Sequence, residues 1–470
     1  MDQWNDFARR TSFVNSHGYT VPDVLLLNPM GSVWPLFGGE IFHDTLPRDI
    51  YRNMGNFMHL EDFRKIRDID RSYAALINEL TGHRIEFLIA DEHYLGGMQV
   101  SAGGTLLAEN HEFSSLVLPD LFCLRTATAE QILNFIRSGG KVFYHGELPV
   151  ASAESGLDDP ELAGLVAEIA ENAVKITVTG EDGLPVLDIA GHFAPQIKFE
   201  SGSFDMYQSH REIDGRHFFW LVNNAEEYQS CRLLVRGIGG RVSKWDCTDG
   251  SIRPLHSVSG AEGSLVDLDF KPVEAFWLVF EEDKEPYARE AEEGAAGHIQ
   301  QHEFVLEITG DWTVSLDPDA QPEPFKNQVQ FPEYAALATG TKSLIPWESW
   351  GLSYFTGYID YDTEFIVESL ETGSRYYIDL GKVNNTAEVW VNGENAGGRM
   401  WPPFTFDITQ QLVQGKNTVR VKTGNTMYNV MRYYLDQGTL NNMVWVTRHT
   451  PDPEEITSGM FGPVVLRKGG

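Results

Sequence analysis

The sequence predicts a multidomain protein that joins a parallel α/β unit to all-β units, and three observations predict it. Between residues 21 and about 205, short continuous apolar runs alternate with amphipathic helical stretches. From about His210 onward, short strand-like runs are parted by Gly, Asn and Asp turns with almost no helical pattern. The chain is 470 residues long, beyond what one core usually holds. The expected order is a helix at 1–20, a parallel α/β domain at 21–208 and a small antiparallel β domain at 209–283. An acidic linker at 284–303 and a jelly-roll sandwich at 304–470 complete it.

Taken in order, residues 4–16 carry helical spacing at Trp4, Phe7, Ala8 and Phe13, and this helix is expected to need a partner from outside the chain. VPDVLLLNP reads as a strand buried on both faces, closed by Asn28 and Pro29. A helix is expected over 60–81, with a stripe through Phe63, Ile66, Ile69, Tyr73, Ile77 and Leu80. IEFLIADE is expected to be a second buried strand and FSSLVLP a third. TAEQILNFIRSGG reads as a helix stopped by Gly139 and Gly140, KVFYHGELP as a fourth strand, and LAGLVAEIAENAVKITVTG as a continuation. HFFWLVNNA, CRLLVRG, RVSKWDCTDGSIRPL, SLVDLDF and EAFWLVFEE then give the compact antiparallel unit. In the last third, FVLEITGDWTVSLD, GYIDYDTEFIVES, RYYIDLGKV, TAEVWVNGENAG, FTFDIT, NTVRVKTGN and GPVVLRK read as strands, with Asn392-Gly393 as a two-residue hairpin turn.

Composition narrows the partners. The formal charge of −32 repels phosphate backbones and anionic membranes, so neither nucleic acid nor membrane is an expected partner. Neutral sugars stay open, and so does Ca²⁺, although no diagnostic calcium loop is seen and no cofactor is required. No apolar run reaches bilayer length. The first residues lack the basic start and apolar core of a signal peptide, so the sequence as it stands is expected to be cytoplasmic, and periplasmic or secreted if its start is truncated. The three cysteines, Cys123, Cys231 and Cys247, make no CxxC pair; a Cys231–Cys247 disulfide is open, with small buried hydrophobes the favoured reading.

The α/β unit invites an enzymatic reading. A nucleophilic cysteine in an amidotransferase elbow needs flanking glycines for a sharp turn, and Cys123 in SLVLPDLFCL has none. No GxGxxG follows the first strand, which disfavours a dinucleotide. Asp91 and Glu92 end the second strand, where open α/β sheets gather ligands, and are candidate cleft carboxylates; helix capping is the favoured alternative. His43, His59, His93, His111 and His145 lack metal-ligand spacing and read as surface and turn residues. In the last third, aromatic rings can stack on the C–H faces of sugars. Trp401, in a loop beside Pro402, is expected to be the exposed one, Trp350 is a second candidate, and Trp390 is expected in the core. Asn425 and Asn429 are candidate donors to sugar hydroxyls, with turn formation as the alternative.

The run GYIDYDTEFIVE, then YYIDLGKVNNTAEVWVNGENAGGRMWPPFTFDITQQLVQGKNTVRVKTGN, then SGMFGPVVL resembles the galactose-binding-like, sugar-binding jelly roll of family 2 glycoside hydrolases, a module that also closes the family 106 α-L-rhamnosidases. WNDFARRTSFVNSHGYTVPDVLLLNPMGSVWP, FLIADEHYL and GGKVFYHGELP resemble the amidotransferase-like, flavodoxin-like α/β domain that follows the rhamnosidase barrel. WLVNN, WDCTDG and VEAFWLVFEE resemble the small β domain that comes next. The resemblance implies an accessory C-terminal region of an α-L-rhamnosidase-like hydrolase acting on plant or microbial glycans. The catalytic carboxylates would lie on a (β/α)₈ barrel ahead of residue 1, with residues 1–20 as its remnant, and no catalytic residue carries over. The alternative is a stand-alone, non-catalytic carbohydrate-binding or assembly protein. An amidotransferase-like enzyme using Cys123 is a third, less favoured reading.

Overall fold

A computed structural model of the protein describes residues 2–36, 61–177, 186–282, 284–286, 303–317, 319, 321, 331–437 and 457–469. Most of the expected acidic linker, and the positions Leu60, His43 and His59, lie outside the described residues, as does the side chain of Phe63.

Five strands form a parallel sheet in the order Val174–Lys175, Lys141–Tyr144, Ser115–Leu118, Val24–Leu27, Phe87–Ala90. Successive side chains of a strand point to opposite faces, which is why the central strands are apolar throughout. Leu25 and Leu27 enter one core, beside the helices Thr126–Arg137 and Pro160–Asn172. Val24 and Leu26 enter the other, against Ala75, Leu76 and Leu80 of the helix Glu61–Gly82. IEFLIADE departs from its expected burial. Its strand, Phe87–Ala90, is at the sheet edge and leaves Ile89 49% exposed.

From Ile197 to Glu281 all strand pairing is antiparallel. One sheet contains Tyr19–Thr20, Met206–Ile213, Arg216–Asn223, Ala275–Glu281, Arg241–Trp245 and Ile252–Leu255 in that order. A second contains Ile197–Ser201, Gln229–Arg236, Gly263–Phe270 and Ser257–Gly260. Phe219, Leu221, Phe276 and Leu278 of the first meet Leu233, Val235, Val266 and Leu268 of the second in one core.

The amino-terminal helix Asp2–Asn15 covers the opposite face of the first antiparallel sheet, which corrects the expectation that its partner lies outside the chain. Phe7 and Val14 pack with Phe218, Trp220 and Trp277, and the Arg10 guanidinium donates to the carbonyls of Cys247 and Thr248, both at 2.9 Å.

The last third is a two-sheet β-sandwich. A four-stranded sheet (Glu303–Glu307, Val465–Gly469, Arg375–Asp379, Thr405–Asp407) faces a six-stranded one (Gly340–Lys342, Trp312–Ser315, Tyr358–Val367, Gly415–Gly424, Thr386–Val391, Glu394–Arg399) over a single core. Asn392 and Gly393 turn the last hairpin with φ of 53° and 84°, both left-handed, as a type I′ turn needs.

Two tryptophans depart from expectation. Trp390 is not core: Ala387, Val389 and Val391 take the inward positions of its strand, so alternation turns Trp390 outward, half-buried. Trp401 is half-buried rather than exposed in its loop. Its ring meets Phe7 edge-on at 5.0 Å and Trp4 at 6.3 Å, because the amino-terminal helix lies against it. His145 also departs from its surface assignment and is buried beside Ser72.

Candidate functional site

The loop end of the sandwich gathers most of the carbohydrate candidates. Residues Trp347–Trp350 form a single 3₁₀ turn that ends at Gly351 in the left-handed region, a turn that Pro346 opens and glycine closes. The turn buries Trp347 completely, and its indole N–H donates to the Tyr361 hydroxyl at 2.6 Å. Burial pushes that hydroxyl up to about 12, so it stays protonated, although the indole N–H it accepts favours the opposite. Gly459 passes so close that a Cβ there would sit 2.6 Å from the indole, with φ of 111°.

Beneath the turn is a polar cluster in which each member has a partner. The Asn425 amide donates to the Phe355 carbonyl at 2.8 Å and to Ser458 Oγ at 3.1 Å, while its carbonyl accepts the Gly357 N–H at 3.0 Å. Asn429 donates to Ser458 Oγ at 3.3 Å and to Glu348 Oε1 at 3.2 Å. The other Glu348 oxygen accepts the Ser458 N–H at 3.1 Å. Buried amides of this kind are costly unless satisfied. Asn425 and Asn429 thus tie three loops together and face inward.

Three partly exposed rings belong to the same segments as this cluster. Trp350 is half-buried, 6.0 Å from the Tyr361 ring, with the Lys342 ammonium 5.8 Å from its centroid. Tyr354 meets Tyr433 edge-on at 5.4 Å, and its hydroxyl donates to the Asp436 carboxylate at 3.0 Å, which raises its pKa. Tyr433 and Asp436 belong to the helix Tyr428–Asp436, where Arg432 and Asp436 are 3.7 Å apart. Aromatic faces beside a hydroxyl, a carboxylate and a guanidinium can stack on a sugar and meet its hydroxyls. Sequence reasoning missed this helix, Glu348 and Ser458. The 3–4 spacing of Val430, Tyr433 and Tyr434 was the available signal for the helix.

The other candidates lie elsewhere. Asp91 caps the short helix Glu92–Gly97 by accepting the Tyr94 N–H at 2.9 Å. Glu92 Oε2 accepts the Arg125 N–H and the Thr128 hydroxyl, both at 2.9 Å, at the start of the helix Thr126–Arg137. Ser32 Oγ accepts the N–H groups of Phe122 and Cys123 at 3.1 and 3.0 Å. Cys123 is a buried free thiol whose pKa is raised by burial first and by Glu92 and Glu154 next, the opposite of an activated nucleophile. Cys231 and Cys247 are free as well. Ser72 Oγ and His145 Nδ1 are 2.7 Å apart, yet both residues are buried and Ser72 Oγ also takes the Asp120 N–H at 2.9 Å.

At the opposite, amino-terminal edge of the parallel sheet, Asp23 accepts the Glu86 N–H at 2.8 Å and Gln208 donates to Glu86 Oε1 at 3.3 Å. Desolvation pushes Asp23 up to about 6; desolvation, then the Asp23 charge, pushes Glu86 up to about 8. His210, buried next to them and stacked on Phe219 at 4.0 Å, is pushed down to about 3 by desolvation and by His217. This cluster seams the parallel sheet to the strand Met206–Ile213. Among the described residues, no group of three or more His, Cys, Asp or Glu is arranged to hold a metal ion, and no helix is long and apolar enough to cross a membrane.

No family model matches the chain. A putative β-glucuronidase of Formosa agariphila is 32% identical over 186 residues, which are 34% of this chain and 15% of that protein. A second putative β-glucuronidase match in the same organism is 34% identical over 68 residues, 14% of this chain and 8% of that protein. Among solved structures, a rhamnosidase from Novosphingobium sp. PP1Y matches 99% of this chain and 41% of its own, with a TM-score of 0.56 and 20% identity. The last is a likeness of fold. The chain therefore spans less than half the length of each of these proteins, and it is glycoside-hydrolase-like.

Proposed function

We propose that this chain is a carbohydrate-directed accessory region of an α-L-rhamnosidase-like, family 106-type glycoside hydrolase, and that it does not itself cleave glycosidic bonds. The β-sandwich belongs to the galactose-binding-like class in this reading, and the parallel sheet to the amidotransferase-like class. The sugar meets the loop end, at Trp350, Tyr354 and Tyr433. The single observation that carries the reading is the half-buried ring pair Tyr354–Tyr433, with the Tyr354 hydroxyl bonded to Asp436, where Tyr433 and Asp436 lie on the helix that also carries the fully bonded Asn429. A preorganised base of that kind holds rings in place without needing the ligand to order them.

The non-catalytic part rests on carboxylate chemistry. Glycosidic cleavage needs two carboxyl groups facing each other across a bound sugar, about 5–9.5 Å apart. Asp23 and Glu86 are neighbouring acids that burial raises to about 6 and about 8, but Asp23 accepts the Glu86 backbone N–H and Gln208 donates to Glu86. Asp91 and Glu92 are occupied by helix ends.

Titration calorimetry of the purified chain against a panel of plant and microbial oligosaccharides tests the binding half. Binding that weakens at least tenfold in Tyr433→Ala, with the melting curve preserved, is expected. The absence of binding to any panel member overturns it. An aryl α-L-rhamnoside assay tests the other half: no turnover is expected, and turnover that disappears in Glu86→Gln contradicts it.

A further inference from the structure

The helix Asp2–Asn15 joins parts of the molecule that the chain separates by hundreds of residues. Just past its carboxyl end, the Arg211 guanidinium donates to the His17 carbonyl at 3.2 and 2.8 Å and to the Gly18 carbonyl at 3.2 Å. Midway along, Arg10 holds the carbonyls of Cys247 and Thr248, in the turn after the strand Arg241–Trp245. About one helical turn earlier, Phe7 and Trp4 meet Trp401 of the sandwich. The same turn faces the sandwich directly. Burial lowers the Arg399 pKa, and the charges of Asp246 and Asp249 in that turn pull the other way. The helix, the turn and the segment from Arg399 to Trp401 thus converge at one place.

The layer under the helix is incompletely satisfied. Cys247 is a buried free thiol packed with Val14, Phe218, Trp277 and Val279. Burial raises its pKa, and the Thr11 hydroxyl beside it pulls the other way. The Thr11 hydroxyl and the Trp277 indole N–H are buried atoms, and neither makes a hydrogen bond. A buried polar group without a partner is costly only while it is kept from water, so lifting the helix relieves Thr11. A helix of 14 residues is marginal by itself, so its seating depends on Phe7, Val14 and Arg10.

We infer that this helix is a releasable strap that opens as a unit, ahead of global unfolding, and that its seating on Trp401 couples the sandwich to the antiparallel domain. The coupling runs through Phe7, whose ring lies 6.4 Å from Trp220 and 5.0 Å from Trp401. Moving Trp401 away removes one side of that packing. Lifting the helix bares both the Trp401 ring and the Cys247 thiol. The inference does not depend on sugar binding at the loop end.

The test uses the full chain with Cys123 and Cys231 replaced by alanine, which leaves Cys247 as the one thiol. Its labelling by a maleimide is followed without denaturant and at low denaturant. A rate that stays constant over that range is expected, because local opening exposes little surface. Phe7→Ala should raise the rate about tenfold, and Trp401→Ala should raise it several-fold, although the layer around Cys247 is built from other residues. Thr11→Val, which removes the unbonded hydroxyl, should lower it about threefold. Hydrogen exchange on the chain with all its cysteines is the second readout: residues 4–14 should exchange together, faster than residues 216–223 beneath them, and faster still in Trp401→Ala. Labelling and exchange that follow global unfolding in every variant would mean that no strap exists. If Phe7→Ala speeds both while Trp401→Ala changes neither, the coupling to the sandwich fails. Faster labelling in Thr11→Val contradicts the buried hydroxyl as the source of release.

Discussion

The carboxyl ends of the parallel strands and the loop end of the sandwich are both places where folds of their kind gather ligands, and this protein treats them in opposite ways. At the strand ends, Asp91 accepts a backbone N–H of the helix it opens, Glu92 and Ser32 accept N–H groups from residues 122–125, and Glu154 accepts the Thr126 N–H at 3.2 Å. The protein's own side chains occupy the donors that a ligand would use. At the loop end, Asn425, Asn429, Glu348 and Ser458 satisfy one another below the surface, and partly exposed rings belong to the same segments. The difference teaches that polar density alone does not identify a site. What matters is whether the groups are bonded across the place a ligand would fill or underneath it.

The contrast can be broken most forcefully at Gly459. An alanine there adds a Cβ 2.6 Å from the Trp347 ring at a left-handed φ of 111°. Strain and overpacking together should cost about 4 kcal/mol. Denaturant unfolding should show that loss together with loss of glycan binding, since the turn beneath Trp350 is disturbed.

The pH dependence of stability probes a third region, the seam of Asp23, Glu86 and His210. Glu86 binds its proton more tightly folded, at about 8, than unfolded, near 4.5. Its contribution is therefore fully present below about 4.5 and is lost as pH rises through 8. His210 shifts the other way, from 6.5 to about 3, so its contribution is lost as pH falls across that window. Melting temperatures should peak between the two limbs, and Glu86→Gln should flatten the alkaline one. An unchanged alkaline limb in that variant would remove Glu86 from the seam's titration.

Glu92→Ala sharpens the comparison from the other side. It removes the acceptor of two hydrogen bonds at the start of the helix Thr126–Arg137, for a loss of about 1–2 kcal/mol, and should leave glycan affinity unchanged. Asp91→Ala should cost less, about 1 kcal/mol, by uncapping a six-residue helix. A change in glycan affinity from either substitution would make the strand ends part of the binding surface.

Much of the fold was legible because period and burial agree. VLLL and SLVL are continuous apolar runs, and both faces of their strands are covered. FLIA carries the same pattern at an edge, since composition does not encode which strand ends a sheet. Trp390 could have been read from its neighbours: Ala387, Val389 and Val391 claim the inner parity, which leaves the indole outside. Trp401 could not, because the ring that covers it, Phe7, is nearly four hundred residues away in sequence. The loop end was half legible. Asn425, Asn429 and Trp350 stand out by type, but the pairing of Asn429 with Glu348 depends on three loops meeting, which no local pattern records.

The most direct measurement is hydrogen exchange on the chain with and without the neutral oligosaccharide that binds it best. Protection should include residues 347–356 and 428–436, with residues 91–97 and 123–131 unchanged. Protection confined to 91–97 and 123–131 would mean that the strand ends are the open site and the loop end the closed one, the reverse of what the hydrogen bonds indicate.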